Sequence, residues 1–375
     1  MESAKEIAST LVEKLSLTSA EPPVEPDAWL KASEVEEIKP DEDDKARQIG
    51  EAIRKMQSHN FDQHAHMYRG THVKSLGFVK GTLTVKSDLP SHLQHGLFAT
   101  PGSTHPFVGR YANEPSFIKP DPERAPRGFS FKVFDVPGDR LSEDGLSTQD
   151  FLMNNAPMVE LTDIDTTLEI LQLREKYFDS PTTLQLELAK RSDRIKQFAP
   201  GMLPNHYIIG DEFFTQSSFA FGPYAAHISL TPIGPDQQEY HNKLIPSDAG
   251  PTFHREHLKE YYSSHSAKYS LRAQFASDLS KHAVEDASTE WDEKTAPWHD
   301  LATLEIPAQD SFSDARRLWW EEKIALSPWS GLKAHRPLGS INRLRKKVYE
   351  MSKSHRAATN GQEVRFPAKA DEMPE

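Results

Sequence analysis

Residues 127–136 read RGFSFKVFDV, and this stretch decides the fold class. Phe129, Phe131 and Val133 alternate along it, the period of a half-buried strand. Working outward, VKSLGFVKGTLTV at 73–85 reads as a strand punctuated by a glycine. HYIIGDEFFTQSSFAFGPYAAHISLTPI at 206–233 and AKYSLRAQFAS at 267–277 read the same way. TTLEILQLREKYF at 166–178 and TTLQLELAKRSDRIKQF at 182–198 have helical spacing instead. So does 44–58, where Ile49, Ile53 and Met56 share one face. The last quarter holds a Trp-rich helix at 313–325 and a basic helix at 341–355. Strands gathered centrally with helices on both sides predict an α+β domain built on an antiparallel sheet or barrel.

Residues 5–17 carry Ile7, Leu11, Val12 and Leu15 at helical spacing. The acidic, proline-rich run AEPPVEPDAW at 20–29 follows and reads as an extended linker. Residues 1–43 are therefore expected to be an extension that wraps or hangs from the domain.

The chain has 375 residues, 44 basic against 56 acidic, and a formal charge of −12. That balance opposes a nucleic-acid partner, which favours a basic surface that displaces phosphate counterions. It equally opposes a polybasic membrane patch. Cysteine is absent, which excludes disulfides, thiolate catalysis, iron–sulfur ligation and thiolate-bound haem. No apolar run approaches the ~18 residues of a transmembrane helix. The N-terminus lacks the apolar core of a signal peptide, and KADEMPE at the C-terminus carries no prenylation or peroxisomal signal. A cytoplasmic location is the expectation.

Three constellations carry chemistry. The first is His64, His66, Arg69, Thr71 and His72. His-x-His is a familiar ligand pair, but no third ligand is set by spacing, and a surface joint between helix and strand explains it as well. His72 begins a strand, where a fixed imidazole can serve as general acid and base. The second is Met153-Asn154-Asn155-Ala156-Pro157, whose amides can hold a bound oxygen species or simply form a turn. The third is the basic helix, on which Arg345 and Tyr349 are four apart and share a face. A guanidinium beside a phenol favours the phenolate, a hard anionic ligand used by some haem proteins.

In this order the pieces resemble the catalase superfamily. Arg69-Gly70-Thr71-His72-Val73-Lys74 resembles its distal Arg-x-x-His-x-Lys segment. Phe107-Val108-Gly109-Arg110-Tyr111 resembles its Phe-Val-Arg-Phe strand with one shift, and Arg127 to Lys132 its Arg-Gly-Phe-Ala-x-Lys. Asp150 to Pro157 resembles the distal Asp-Leu-x-x-Asn-Asn-x-Pro, and Arg345-x-x-x-Tyr349 the proximal Arg-x-x-x-Tyr. The resemblance implies a catalase-like antiparallel β-barrel with flanking α-helices over 44–357, a polar tail over 358–375, and haem b as cofactor. It implies His72 as the distal proton carrier, Asn154 as the amide that positions a peroxide, Tyr349 as iron ligand and Arg345 as the group holding it as phenolate. Arg69, Arg110 and Arg356 would bind the propionates, a fitting use of guanidinium forks, and Phe129 would line the wall around the porphyrin. A homo-oligomer that exchanges residues 1–43 is compatible with it.

Two departures shape the expected function. Thr71 stands where hydrogen-peroxide catalases usually carry valine, and resembles the allene oxide synthases and related hydroperoxide enzymes there. Arg110-Tyr111-Ala112-Asn113 lacks the serine that usually orients the distal histidine. The resemblance therefore implies a haem enzyme that cleaves the O–O bond of an organic or fatty-acid hydroperoxide, with an isomerase, dehydratase or peroxidase outcome. The alternatives are a minimal catalase and a haem oxidase or cyclase of secondary metabolism. Trp319 and Trp320 are expected to pack their helix onto the barrel.

Overall fold

The computed structural model describes residues 26–375, so the helix expected over 5–17 and most of the linker lie outside the described residues. Nine strands form one antiparallel sheet: β1 (Ser75–Val85), β2 (Thr104–Asn113), β3 (Arg127–Val133), β4 (Gln149–Asn154), β5 (Phe213–Phe214), β6 (Phe219–Phe221), β7 (Tyr224–Pro232), β8 (Ala267–Phe275) and β9 (Trp298–Ile306). Their order is β5-β4-β3-β2-β1-β9-β8-β7-β6, and β5 also pairs with β7. That extra pairing closes eight of the strands into a barrel and leaves β6 as the outer arm of a hairpin with β7. Closure removes the unpaired edges that an open sheet would expose.

The interior follows from alternation. Phe129, Phe131 and Val133 of β3 are fully buried and meet Phe107, Phe151 and Phe213 in the barrel core. Each such phenyl ring contributes roughly 1.5–3 kcal/mol by leaving water. Three tyrosines share that core, and the Tyr111 hydroxyl lies 2.8 Å from that of Tyr262 and 3.1 Å from that of Tyr269. Hydrogen bonds among the phenols spare each a desolvated, unpaired hydroxyl.

The helices form a second body against the barrel: α1 (Glu42–His64), α2 (Ile164–Lys176), α3 (Pro181–Ala189), α4 (Arg194–Met202), α5 (Phe253–Tyr262), α6 (Asp314–Leu318) and α7 (Ser340–Asn360). Ile49, Ile53 and Met56 of α1 pack with Ile164 and Leu171 of α2 and with Leu344 and Val348 of α7, as the apolar spacing of α1 predicts. At one end of this bundle Arg343 reaches Glu36, Glu42 and Glu285 at 2.7, 2.6 and 3.0 Å. This tie fixes residues 36–42 to α7.

Several details differ from the sequence reading. The helix expected over 182–198 splits into α3 and α4, because Arg191 turns back on Asp193 at 2.7 Å and the chain bends between the two. Within 313–325 only α6 is α-helical, and Trp319–Lys323 continues as a π-helix. Trp320 does pack on the barrel, fully buried beside Phe78 and Met373. The described part of 1–43 also lies against the barrel, where Trp29 stacks on Phe275 with centroids 3.8 Å apart. Ala370 and Met373, in the segment read as a polar tail, are buried beside Trp320. β4, β9 and α5 were not anticipated from propensity.

Candidate active site

The segment before β1 lies along the α1–α7 pair. Gln57 of α1 donates to the Tyr68 carbonyl at 2.7 Å. Asn360 of α7 bonds the Met67 N–H and carbonyl at 3.0 Å each. Gly70 packs between Ile53 and Ser352. The chain then leaves the bundle through His72, which has a positive φ of 54°. That conformation is strained for a residue with a side chain. Two contacts hold it. The His72 N–H donates to the Glu114 carbonyl at 2.7 Å, and Arg110 donates to the His72 carbonyl at 2.6 Å.

The imidazole meets the barrel at Gly128. A Cβ at residue 128 would stand 2.7 Å from His72 Cε1, 2.8 Å from the Met153 carbonyl oxygen and 3.0 Å from Asn154 Oδ1. Gly128 and Asn154 face each other across the β3–β4 ladder. A glycine here is what lets ring and amide approach the same point. The Asn154 amide is fixed from behind, donating through Nδ2 to Gln216 Oε1 at 2.8 Å, and Gln216 donates in turn to the Met158 carbonyl at 2.7 Å. Asn154 Oδ1 is buried with no hydrogen-bond partner among the described residues, an acceptor that calls for a donor.

Electrostatics make the imidazole a neutral base. Burial pushes the His72 pKa down to about 3, and the charges of Arg110, Arg345 and Arg69 push the same way. No hydrogen bond to the ring is formed among the described residues, in keeping with Ala112 where an orienting serine was looked for. Nearby, burial raises the Glu114 carboxyl to about 7, with Glu160 adding to the effect.

Arg69 and Arg110 lie close enough to His72 to act on it, and Arg356 joins the same group of guanidiniums. Arg110 grips Ser75 Oγ through Nε at 3.1 Å and Nη2 at 3.0 Å. Arg69 donates to the carbonyls of Trp320 and Ile324, and Arg356 to those of Glu321 and Ile324. The π-turn supplies these carbonyls by loosening the regular ladder. Burial lowers Arg69 to about 10, and burial together with the charge of Arg69 lowers Arg356 to about 9 and Arg110 well below the usual value, while Glu321 pulls all three the other way. All three stay charged at neutral pH. Among the described residues none of them forms a salt bridge.

The remaining candidates are placed as follows. Thr71 is exposed and its hydroxyl makes no hydrogen bond among the described residues. Arg345 sits close enough to His72 to bias it, but its guanidinium donates to Asn342 Oδ1 at 3.0 Å. Tyr349 lies one turn further along the same face of α7 and packs partly buried against the α1–α7 cluster. No hydrogen bond joins it to Arg345 among the described residues. Phe129 points away: it belongs to the barrel interior, on the face of β3 opposite Gly128, with its ring 4.4 Å from that of Tyr111. His66 pairs with Glu322 at 3.1 Å, and no group of three or more metal-ligating side chains occurs among the described residues.

Sequence reasoning missed Gln216, Gly128, Ser75 and Glu114. Of these only Gly128 carried a signal, a small residue inside an otherwise bulky strand. Behind the amide lies a cavity of about 360 Å³ that Asn155, Gln216, His227 and Trp291 help to line.

No protein-family model matches the chain. A linolenate 9R-lipoxygenase of Nostoc sp. is 27% identical over 282 residues, covering 69% of this chain and 34% of that protein. The chain thus spans about a third of that relative's length. Among solved structures, a fungal catalase superposes with a TM-score of 0.58 at 13% identity, over 84% of this chain and 67% of its own. Catalase A of Saccharomyces cerevisiae gives 0.55 at 12% identity, over 80% and 62%. A bacterial catalase gives 0.51 at 15% identity, over 80% and 59%. A barrel closed in this order, with helices packed on it as they are in these three proteins, gives the chain the catalase fold.

Proposed function

We propose that the protein is a haem-dependent enzyme that cleaves the O–O bond of an organic or fatty-acid hydroperoxide. The observation that carries this reading is the approach of a neutral His72 and the unpartnered Oδ1 of Asn154 to one point, next to a group of guanidiniums (Arg69, Arg110 and Arg356) that forms no salt bridge among the described residues. The residues fit a haem. Arg69, Arg110 and Arg356 would take the two propionates, which supply the negative charge the cluster lacks. Tyr349 would offer its phenolate to the iron, with Arg345 one turn away to favour the charged form. When bound, the iron porphyrin provides the redox chemistry of O–O cleavage.

The polypeptide does the rest. As the hydroperoxide binds, its single O–H donates to Asn154 Oδ1, which orients it, and it swings off that acceptor when the proton is handed to His72. The His72 ring nitrogen, neutral throughout the physiological range, takes that proton and returns it to the departing oxygen. The clamps on the His72 backbone, not a bond to its ring, set where the imidazole points. With no serine behind it, the ring holds its tautomer less firmly, which weakens a two-proton shuttle and favours the single cleavage of a substituted peroxide. The Thr71 hydroxyl is free to meet the bound ligand. The product is then a rearranged oxide or an oxidised co-substrate.

The second reading is a minimal catalase, because both the His72–Asn154 pair and the Arg345–Tyr349 pair are retained. One experiment separates them. Protein produced with haem is given linoleic acid hydroperoxide or hydrogen peroxide. Loss of the conjugated-diene absorbance with slow oxygen release supports the first reading. Rapid oxygen release from hydrogen peroxide with the diene intact supports the second. A protein that takes up no haem ends both.

A further inference from the structure

A groove of about 450 Å³ runs over the outside of the first strand, floored by Val73, Lys74 and Ser75 and walled by Ile118, Lys119 and Arg255. Its cations are not alike. Lys74 is tied to Asp121 at 2.6 Å with side chains nearly dry. Arg317 pairs with Glu321 at 3.2 Å. Lys119 donates to the Arg124 carbonyl at 2.8 Å and faces Glu123 at 3.6 Å. Arg255 stands apart. Its guanidinium lies 4.4 Å over the Phe312 ring, and its Nε is buried without a partner. Among the described residues it forms no salt bridge and no hydrogen bond.

A stacked guanidinium with its donors unused is held ready for a planar anion. The ring fixes its orientation, so little rotamer freedom is lost when a carboxylate binds through both oxygens. In a chain of charge −12 such an uncompensated cation is a local exception. The lip of the groove is apolar: Ile118 is 41% exposed and its neighbour Phe117 48%. Adjacent large exposed side chains of this kind mark a surface that something covers. The floor adjoins the active site, since Val73 follows His72 and Ser75 Oγ is the group Arg110 grips.

We propose that this groove binds a long-chain carboxylic acid, its head on Arg255 and its chain over Ile118 and Phe117. Resting on the hydroperoxide reading, the acid is the substrate, and Arg255 selects fatty-acid over uncharged hydroperoxides. A volume of this size is normal for a small-ligand site.

Displacement of cis-parinaric acid from the full chain, without haem, tests the groove by itself. Linoleate should displace the probe at a concentration about tenfold lower than methyl linoleate. Arg255→Ala should erase that difference, and Arg255→Lys should restore part of it. Ile118→Asp should weaken acid and ester alike. Equal binding of acid and ester to the unaltered protein overturns the proposal. So does Arg255→Ala binding linoleate as tightly as the parent, or inorganic phosphate competing as well as linoleate. In haem-loaded protein, Arg255→Ala should keep the Soret band and raise KM for linoleic acid hydroperoxide about tenfold. If the loaded parent consumes no hydroperoxide, the functional reading falls while the displacement series still decides the groove.

Discussion

Arg343 on α7 has the opposite electrostatics to the group Arg69, Arg110 and Arg356, which is drawn from the segment before β1, from β2 and from α7. Arg343 is surrounded by Glu36, Glu42 and Glu285. Burial opposes its charge, but the hydrogen bonds it donates to Glu42, Glu285 and Glu36 outweigh burial and raise its pKa. Arg69, Arg110 and Arg356 hydrogen-bond only carbonyls and one serine hydroxyl, and burial, with Arg69 repelling the other two, lowers their pKa values despite the more distant Glu321 and Glu322. The first cluster is complete as folded. The second is a concentration of desolvated positive charge that the fold tolerates, and a dianion is its natural complement. If the proposed function holds, a fastening and a receptor are built here from one residue type, and what tells them apart is whether carboxylates bond the guanidinium directly.

The contrast can be broken experimentally, beginning with the largest effect. Tyr349→Phe should abolish or strongly alter the Soret band of protein grown with haem, as a visible spectrum will show; an unchanged band removes the receptor from the comparison. Arg343→Ala should lower the unfolding free energy by roughly 3–5 kcal/mol in a urea titration, because it strands half-dry carboxylates. That loss should be the same with and without haem. Arg356→Ala should behave in the opposite way. The haem-free protein should be no less stable, while haem affinity, followed by titration, falls about tenfold for a lost charged hydrogen bond.

Acid should divide the two regions by pH window. His72 has a folded pKa of about 3 against an ordinary 6.5. Between those values the unfolded chain takes up a proton that the folded chain refuses, so stability falls as pH drops through that range. The slope is up to about 1.4 kcal/mol per pH unit for such a histidine. Glu36 is lowered, burial being outweighed by hydrogen bonds from Arg336, Gly339 and Arg343, so its contribution is lost only below its ordinary value of 4.5. Melting curves of His72→Phe should flatten the upper part of the acid loss and leave the lower part. The smallest effect is expected at Thr71→Val, which should raise hydrogen-peroxide turnover a few-fold with haem content unchanged, measured as oxygen release.

What the sequence made legible follows its local periods. The alternation at 129–133 gave β3 and its buried face, and Ile49, Ile53 and Met56 gave the packed side of α1. β9 was open to the same reading, since Ala302, Leu304 and Ile306 are buried while Glu305 is exposed. β5 was not, because two residues carry no period. Of the residues singled out by type, His72 and Asn154 come together at Gly128, while Tyr349 packs against the helical cluster with no bond to Arg345 among the described residues. Gln216 and Glu114 were invisible because they act through partners that are 62 and 42 positions away, a backbone carbonyl in the second case. Phe129 shows the limit from the other side. An aromatic beside a site glycine faces away from it, since neighbours on a strand point oppositely.

The barrel is sealed by its shortest stave. Phe213 and Phe214 make one register pair with β4 and two with β7, and the chain runs on within two residues to Gln216, held at a φ of 60°. The seam most easily unzipped thus borders the arm that steadies the Asn154 amide. Breathing of the cylinder at that point would disturb Asn154 before it loosened the phenyl-packed interior, so the approach of Asn154 to His72 should soften ahead of the fold itself.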